Sequence, residues 1–202
     1  MPCRKTRTWT SPPSPAACWP TSRRGRSPST KLAAFAAKLY GLRGTALFLD
    51  LDVAIVGGLD PLFDYPGKFI MIQDYKQPRR RVTGNSSLSR FEIGAHPDVL
   101  EHFRENVSEV SSTFHNEQAY LSDFLQHQGK LTYWPVAWCP SFKYHGIPKW
   151  PSNYWRAPFV PPEARIVVFQ GECNPQDAIA GQRNRALRFA RSAGWVAEPW
   201  RE

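Results

Sequence analysis

The run Ala46-Leu47-Phe48-Leu49, closed at once by Asp50-Leu51-Asp52, constrains this chain more than any other stretch. Consecutive apolar residues bounded by charge read as a strand buried on both faces, which requires material packed on each side of a sheet. Two carboxylates two residues apart at such a strand's end can reach one divalent cation, directly or through water. Hard oxygen ligands suit Mg²⁺ or Mn²⁺, and an ion of that kind neutralises a diphosphate as it leaves. The plain alternative is a strand-end turn in which the aspartates cap backbone groups.

Other elements follow from periodicity. Order is expected to begin at Ser29-Thr30, a plausible N-cap, with Leu32, Phe35, Ala36 and Leu39 at helical spacing and Gly41 as the stop. Val53–Val56 continues extended until Gly57-Gly58; Phe69–Ile72 and Ser87–Phe91 read as further strands. One amphipathic helix is expected from Pro97 to about Val110, with Val99, Phe103, Val107 and Val110 inward, and a second from Asn116 to Gln128. Leu131–Tyr133 and Ile166–Phe169 complete the strands, with a long aromatic, proline-rich loop at 134–162 between them. Loops of that length are usually functional. Strands and amphipathic helices in this mixture predict an α/β domain.

Charge separates the chain into two parts. The net charge is +9, but residues 1–30 carry six basic side chains and no acidic one, leaving 20 basic against 17 acidic in the rest. Residues 1–28, rich in Arg, Pro, Ser and Thr without hydrophobic period, read as a disordered or aberrant basic tail, and 29–202 as the folded domain. The body is only mildly basic, which argues against nucleic acid as the partner. Four cysteines without a CxxC pair give neither a zinc site nor a disulfide framework, so a reducing, cytoplasmic setting is expected. No apolar run approaches the roughly 18 residues needed to span a bilayer; a peripheral contact at the inner face of a membrane is left open.

Three further motifs could carry chemistry. Gly84-Asn85-Ser86-Ser87 reads as a small polar turn whose amide and hydroxyls could bond sugar hydroxyls, though an ordinary turn has the same composition. In His115-Asn116-Glu117-Gln118, Asn116 is a natural helix N-cap and Glu117 complements the helix dipole; Glu117 or Gln118 could equally position a sugar. Gln170-Gly171-Glu172-Cys173-Asn174-Pro175 follows a buried strand, and its glycine could present backbone N–H groups to phosphate. No GxSxG, Walker or GxGxxG motif and no HxxxH spacing occurs.

The order of these features, over about residues 29–181, resembles the GT-A glycosyltransferase fold, particularly the glycogenin and lipopolysaccharide-galactosyltransferase type. The resemblance implies a mixed central sheet and transfer of a sugar from a nucleotide-diphosphate donor, a uridine diphosphate sugar foremost, to a glycan or lipid-linked acceptor. It also implies Mn²⁺ or Mg²⁺ on Asp50 and Asp52, with Val168 or Gln170 standing where the family loop carries its histidine ligand, Gln170 being the candidate third ligand. Lys31, Asp50, Asn85, Ser86, Gly171 and Asn174 fall on donor-binding positions, and Glu117 and Gln118 on those that contact the transferred sugar. Such folds place more residues before the Asp-x-Asp than this chain does, so part of the nucleotide-binding region is expected to be missing, and a truncated, inactive relative is the alternative. A haloacid-dehalogenase-like phosphatase shares the Asp-x-Asp but wants Thr or Val where Ala54 stands.

Overall fold

A computed structural model describes residues 30–76, 83–171, 173–181 and 190–199. The basic segment 1–28, assigned to a tail, lies outside these residues, as does Ser29.

The centre is a four-stranded mixed sheet of order β1-β4-β3-β5. It comprises β1 (Thr45–Leu49), β3 (Phe69–Gln73), β4 (Gly84–Glu92) and β5 (Leu131–Tyr133). β4 runs antiparallel to both β1 and β3, and β5 pairs parallel to β3. A smaller antiparallel pair joins β2 (Val53–Ile55) to β6 (Ile166–Val168). The mixed α/β architecture and mixed central sheet expected from the sequence are borne out.

Strand periodicity divides the core in two. Ala46 and Phe48 of β1, Phe69 and Met71 of β3, and Leu131 and Tyr133 of β5 pack in one layer. Leu47, Leu49, Ile70 and Ile72 alternate with them into a second layer, beneath α1 (Asp60–Asp64) and β6. The first layer is covered by α2 (Pro97–Glu105), α3 (Val107–Thr113), α4 (Glu117–His127) and a 3₁₀ turn over Thr30–Phe35. The sheet is covered on both faces, but β1 is its edge strand and Ala46–Leu49 are only half-buried, short of the full burial expected of that apolar run.

Three expectations are corrected. The segment expected as an α-helix up to Gly41 is a 3₁₀ turn ending at Phe35. Leu32 and Phe35 are both buried there, and a spacing of three stacks them on one face of a three-residue repeat. The backbone then turns left-handed at Tyr40 and Gly41. The helix expected over 97–110 is two helices, α2 and α3, broken at Asn106, whose backbone N–H and side-chain amide both donate to the His102 carbonyl. Within 134–162, residues Phe142–Gly146 and Ser152–Tyr154 form short helical turns.

The third correction bears on the site. Gly84-Asn85-Ser86-Ser87 is not a turn but the first half of β4. Met71 pairs with Ser89, yet Ile72 pairs with Asn85 where regular pairing would require Leu88, so β4 carries three extra residues at a bulge. An odd insertion inverts the alternation, and Ser86 joins Ser89 and Phe91 on the helix-covered side. Gly84 has no room for a side chain: a Cβ there would lie 2.2 Å from the Met71 sulfur, and Met71 is fully buried. Gly84→Ala is expected to cost about 1–3 kcal/mol through overpacking, read as a lower denaturant midpoint.

Among the described residues no helix is long and apolar enough to cross a membrane. Cys139 and Cys173 are free and buried, and burial pushes their thiols up to about 12 and about 11.

Candidate functional site

Asp50 follows the last residue of β1 and keeps the parity of Ala46 and Phe48, so it emerges on the side covered by α4 and the 3₁₀ turn. Its backbone is still tied to the sheet, the N–H donating to the Ser87 carbonyl at 2.8 Å. Lys31, from the 3₁₀ turn, reaches down to it: Nζ lies 2.6 Å from Asp50 Oδ2 and 3.4 Å from Ser86 Oγ. The same ammonium is 4.0 Å from Glu117 Oε1 and sits over the Phe48 ring at 5.8 Å. Residues 31, 50, 86 and 117, drawn from four separate elements, therefore converge on one cation.

Asn116 and the helix it starts position Glu117. The Asn116 side chain accepts the Ala119 N–H at 2.9 Å, as the sequence led one to expect of an N-cap. Asn116→Ala is expected to cost about 1 kcal/mol of stability in a denaturant melt, the usual worth of such a cap. Gln118 is half-buried, and its carbonyl accepts from Ser122 Oγ, which in turn accepts the Gly84 N–H. Ser122 thus locks the start of β4 to α4. Sequence reasoning missed Ser122 and Phe48. The only available signal for Ser122 was its place one helical turn beyond Gln118.

A second group adjoins the first along β4. Asn85 is buried; its Oδ1 accepts the Ser87 N–H and its Nδ2 donates to Gln170 Oε1 at 3.0 Å. Gln170 stands next to Phe169, whose N–H donates to the Asp52 carbonyl at 2.9 Å. The loop after β6 is thereby pinned beside the Asp-x-Asp segment. Gly171, with φ of +79°, has open space around it, in a conformation that favours glycine. Asn174 is held in a capping box with Asp177 at the start of α5 (Pro175–Ala180), so a structural duty already occupies it.

The oxygens that the sequence offers a cation here are the carboxylates of Asp50 and Asp52 and the side-chain amide of Gln170. Among the described residues no three or more His, Cys, Asp and Glu side chains come together. Gln170 Oε1 already accepts one hydrogen bond from Asn85, leaving one lone pair, and Lys31 covers Asp50 Oδ2. Such a set does not enclose a metal by itself. It does fit Mg²⁺ or Mn²⁺ arriving with substrate phosphates, since these ions commonly take one or two protein carboxylates and complete their shell with phosphate and water. The Lys31–Asp50 pair is 29% and 23% exposed at its two side chains. A pair this open is worth about 1 kcal/mol or less, so a competing charge can replace it at little cost.

No family model and no curated protein matches the chain. Solved structures similar to it include two glycosyltransferases. One is the galactosyltransferase LgtC in complex with donor and acceptor sugar analogues, with a TM-score of 0.44 and 14% identity over 68% of this chain and 56% of that one. The other is the apo form of the glycosyltransferase GlyE of Streptococcus pneumoniae TIGR4, with a TM-score of 0.45 and 15% identity over 72% of this chain and 38% of that one. The chain spans about half the length, or less, of the structures it resembles.

Proposed function

We propose that the chain is a GT-A-type glycosyltransferase domain that takes a sugar from a nucleotide-diphosphate donor, a uridine diphosphate sugar foremost, and passes it to a glycan or lipid-linked acceptor. The observation that carries this reading is the convergence of Lys31, Asp50, Ser86 and Glu117 at the end of β1. A diphosphate needs positive charge and a sugar needs hydrogen-bonding groups beside it; both occur here, on rigid elements.

In this reading Asp50 and Asp52 hold a Mn²⁺ or Mg²⁺ ion that, when bound, neutralises charge on the departing diphosphate. Lys31 leaves Asp50 for the phosphate oxygens and supplies a second positive charge. Asn85 and Ser86 donate to sugar hydroxyls, with Asn85 oriented by Gln170. Glu117 and Gln118 border the sugar from the first turn of α4 and fix its orientation, and Gly171 allows backbone to approach the phosphates.

Calorimetric titration of the full chain with uridine diphosphate glucose and galactose tests the reading. Saturable binding is expected with Mn²⁺ present and not with a chelator. Absence of binding to either sugar nucleotide in Mn²⁺ contradicts it.

A further inference from the structure

At the other end of the central sheet lies a second polar cavity of about 390 Å³, lined by Thr45, Lys68, Arg90, Glu92, His96 and Lys130 among others. Thr45 pairs with Glu92 at the start of β1, five residues before Asp50. At about 3.3 Å per strand residue that places the cavity roughly 17 Å from the Asp50 end. Phe91 is shared with the pocket beside Lys31, Ser86 and Glu117; the other lining residues are not.

Several of its polar groups lack partners. His96 is 4% exposed, its ring edge-on to Phe69, and neither ring nitrogen makes a well-formed hydrogen bond, the Lys68 backbone being a polar neighbour that pulls weakly on it. Arg90 donates through its terminal nitrogens to the carbonyls of Phe63 and Gly67, but its buried Nε–H has no acceptor. Such an orphan is costly to bury unless something outside the protein satisfies it. His96 also occupies the N-cap position of α2 without capping it, so the positive end of a nine-residue helix opens beside the cavity.

The charges favour an anion. Lys68, Arg90 and Lys130 face Glu92, while Asp98 holds Lys130 at 3.1 Å, leaving an excess of one positive charge before His96 is counted. Burial keeps His96 below its ordinary pKa, against a weaker pull from the Lys68 backbone, so it is neutral near pH 7 and offers one N–H. An arriving dianion would reverse that balance and draw a proton onto the ring.

We propose that this cavity is a binding site for a phosphate-bearing small molecule, held by Lys68, Arg90 and His96, and separate from the sugar-transfer site. Several convergent donors and cations match a dianionic phosphate better than a singly charged carboxylate.

Calorimetric titration of the full chain with inorganic phosphate, at constant ionic strength and with acetate as the comparison anion, tests it. Saturable phosphate binding is expected, with acetate at least about fivefold weaker, a difference on the scale of one charge-assisted hydrogen bond. Lys68→Ala, an exposed position that folding does not depend on, should weaken phosphate by about fivefold or more, and His96→Phe, which keeps the ring packing on Phe69, likewise. Lys149→Ala, an exposed lysine outside both sites, should leave it unchanged. No saturable binding, acetate binding equal to phosphate, equal loss on Lys149→Ala, or indifference to both Lys68→Ala and His96→Phe would overturn the proposal.

Discussion

Replacing Asp50 or Asp52 with alanine is expected to lower sugar transfer by about a hundredfold or more while leaving the fold intact. Removing one group that stabilises developing charge in a transition state typically costs about 10²–10³ in rate. The Asp50 carboxylate contributes far less to folding. The Lys31–Asp50 pair is partly open to solvent, so its loss removes about 1 kcal/mol or less. The two effects therefore separate by measurement: initial rates of product formation fall steeply, while the denaturant midpoint barely moves. Asp50→Asn sharpens the comparison, since it keeps the side chain's size while losing the charge that attracts both Lys31 and a cation. If Asp50→Ala lost activity only through unfolding, the carboxylate would be a strand-end cap, the plain alternative for this triplet.

Phe69→Ala is expected to be the most damaging core substitution, at about 3–5 kcal/mol. Phe69 is fully buried on β3 and lies against Phe35 at 5.6 Å, Phe91 at 5.8 Å and His96 at 5.5 Å between ring centroids. It therefore joins the 3₁₀ turn that carries Lys31 to the strand that carries Ser86. Domains of this size are held together by about 5–15 kcal/mol, so this one truncation removes a large fraction of the total. Guanidinium unfolding should show a lowered midpoint with an unchanged slope. A cost under about 1 kcal/mol would mean that the aromatic cluster is not the core of the first layer.

How much of this was legible in the residues differs by element. β1 was readable as a strand because an apolar run closed by two charges is strand-like, but its half-buried place at the sheet edge was not, since burial depends on the neighbours that pack there. The start of α4 was readable because Asn116 caps within four residues, a purely local event. The first half of β4 was not. Asn85, Ser86 and Ser87 have turn composition, and what makes them strand is the pairing of a bulge with β3 and a buried amide bonded to Gln170, 85 positions away. The break between α2 and α3 was hidden for a similar reason, since Val99, Phe103, Val107 and Val110 keep a helical period across it. In the 3₁₀ turn the spacing of Leu32 and Phe35 suited either helix type, and packing on the sheet decided between them.

The site residues were individually visible but not their joining. Nothing local to Lys31 indicates that it pairs with Asp50, 19 positions on, or approaches Glu117. That arrangement depends on β1 emerging on the same side as the 3₁₀ turn and α4, which is a consequence of strand parity and layer order. Asn174 shows the reverse: a position taken for phosphate binding is spent on a capping box that its local sequence, Asn-Pro-Gln-Asp, already encodes.

The most direct measurement is a crystal structure of the full chain grown with uridine diphosphate and Mn²⁺. Expected are the ion on Asp50 and Asp52, the diphosphate beside the ion, and the Lys31 ammonium moved from Asp50 Oδ2 onto phosphate oxygen. A structure from saturating nucleotide and metal in which the Lys31–Asp50 pair is intact and the nucleotide is bound elsewhere, or not at all, would contradict it.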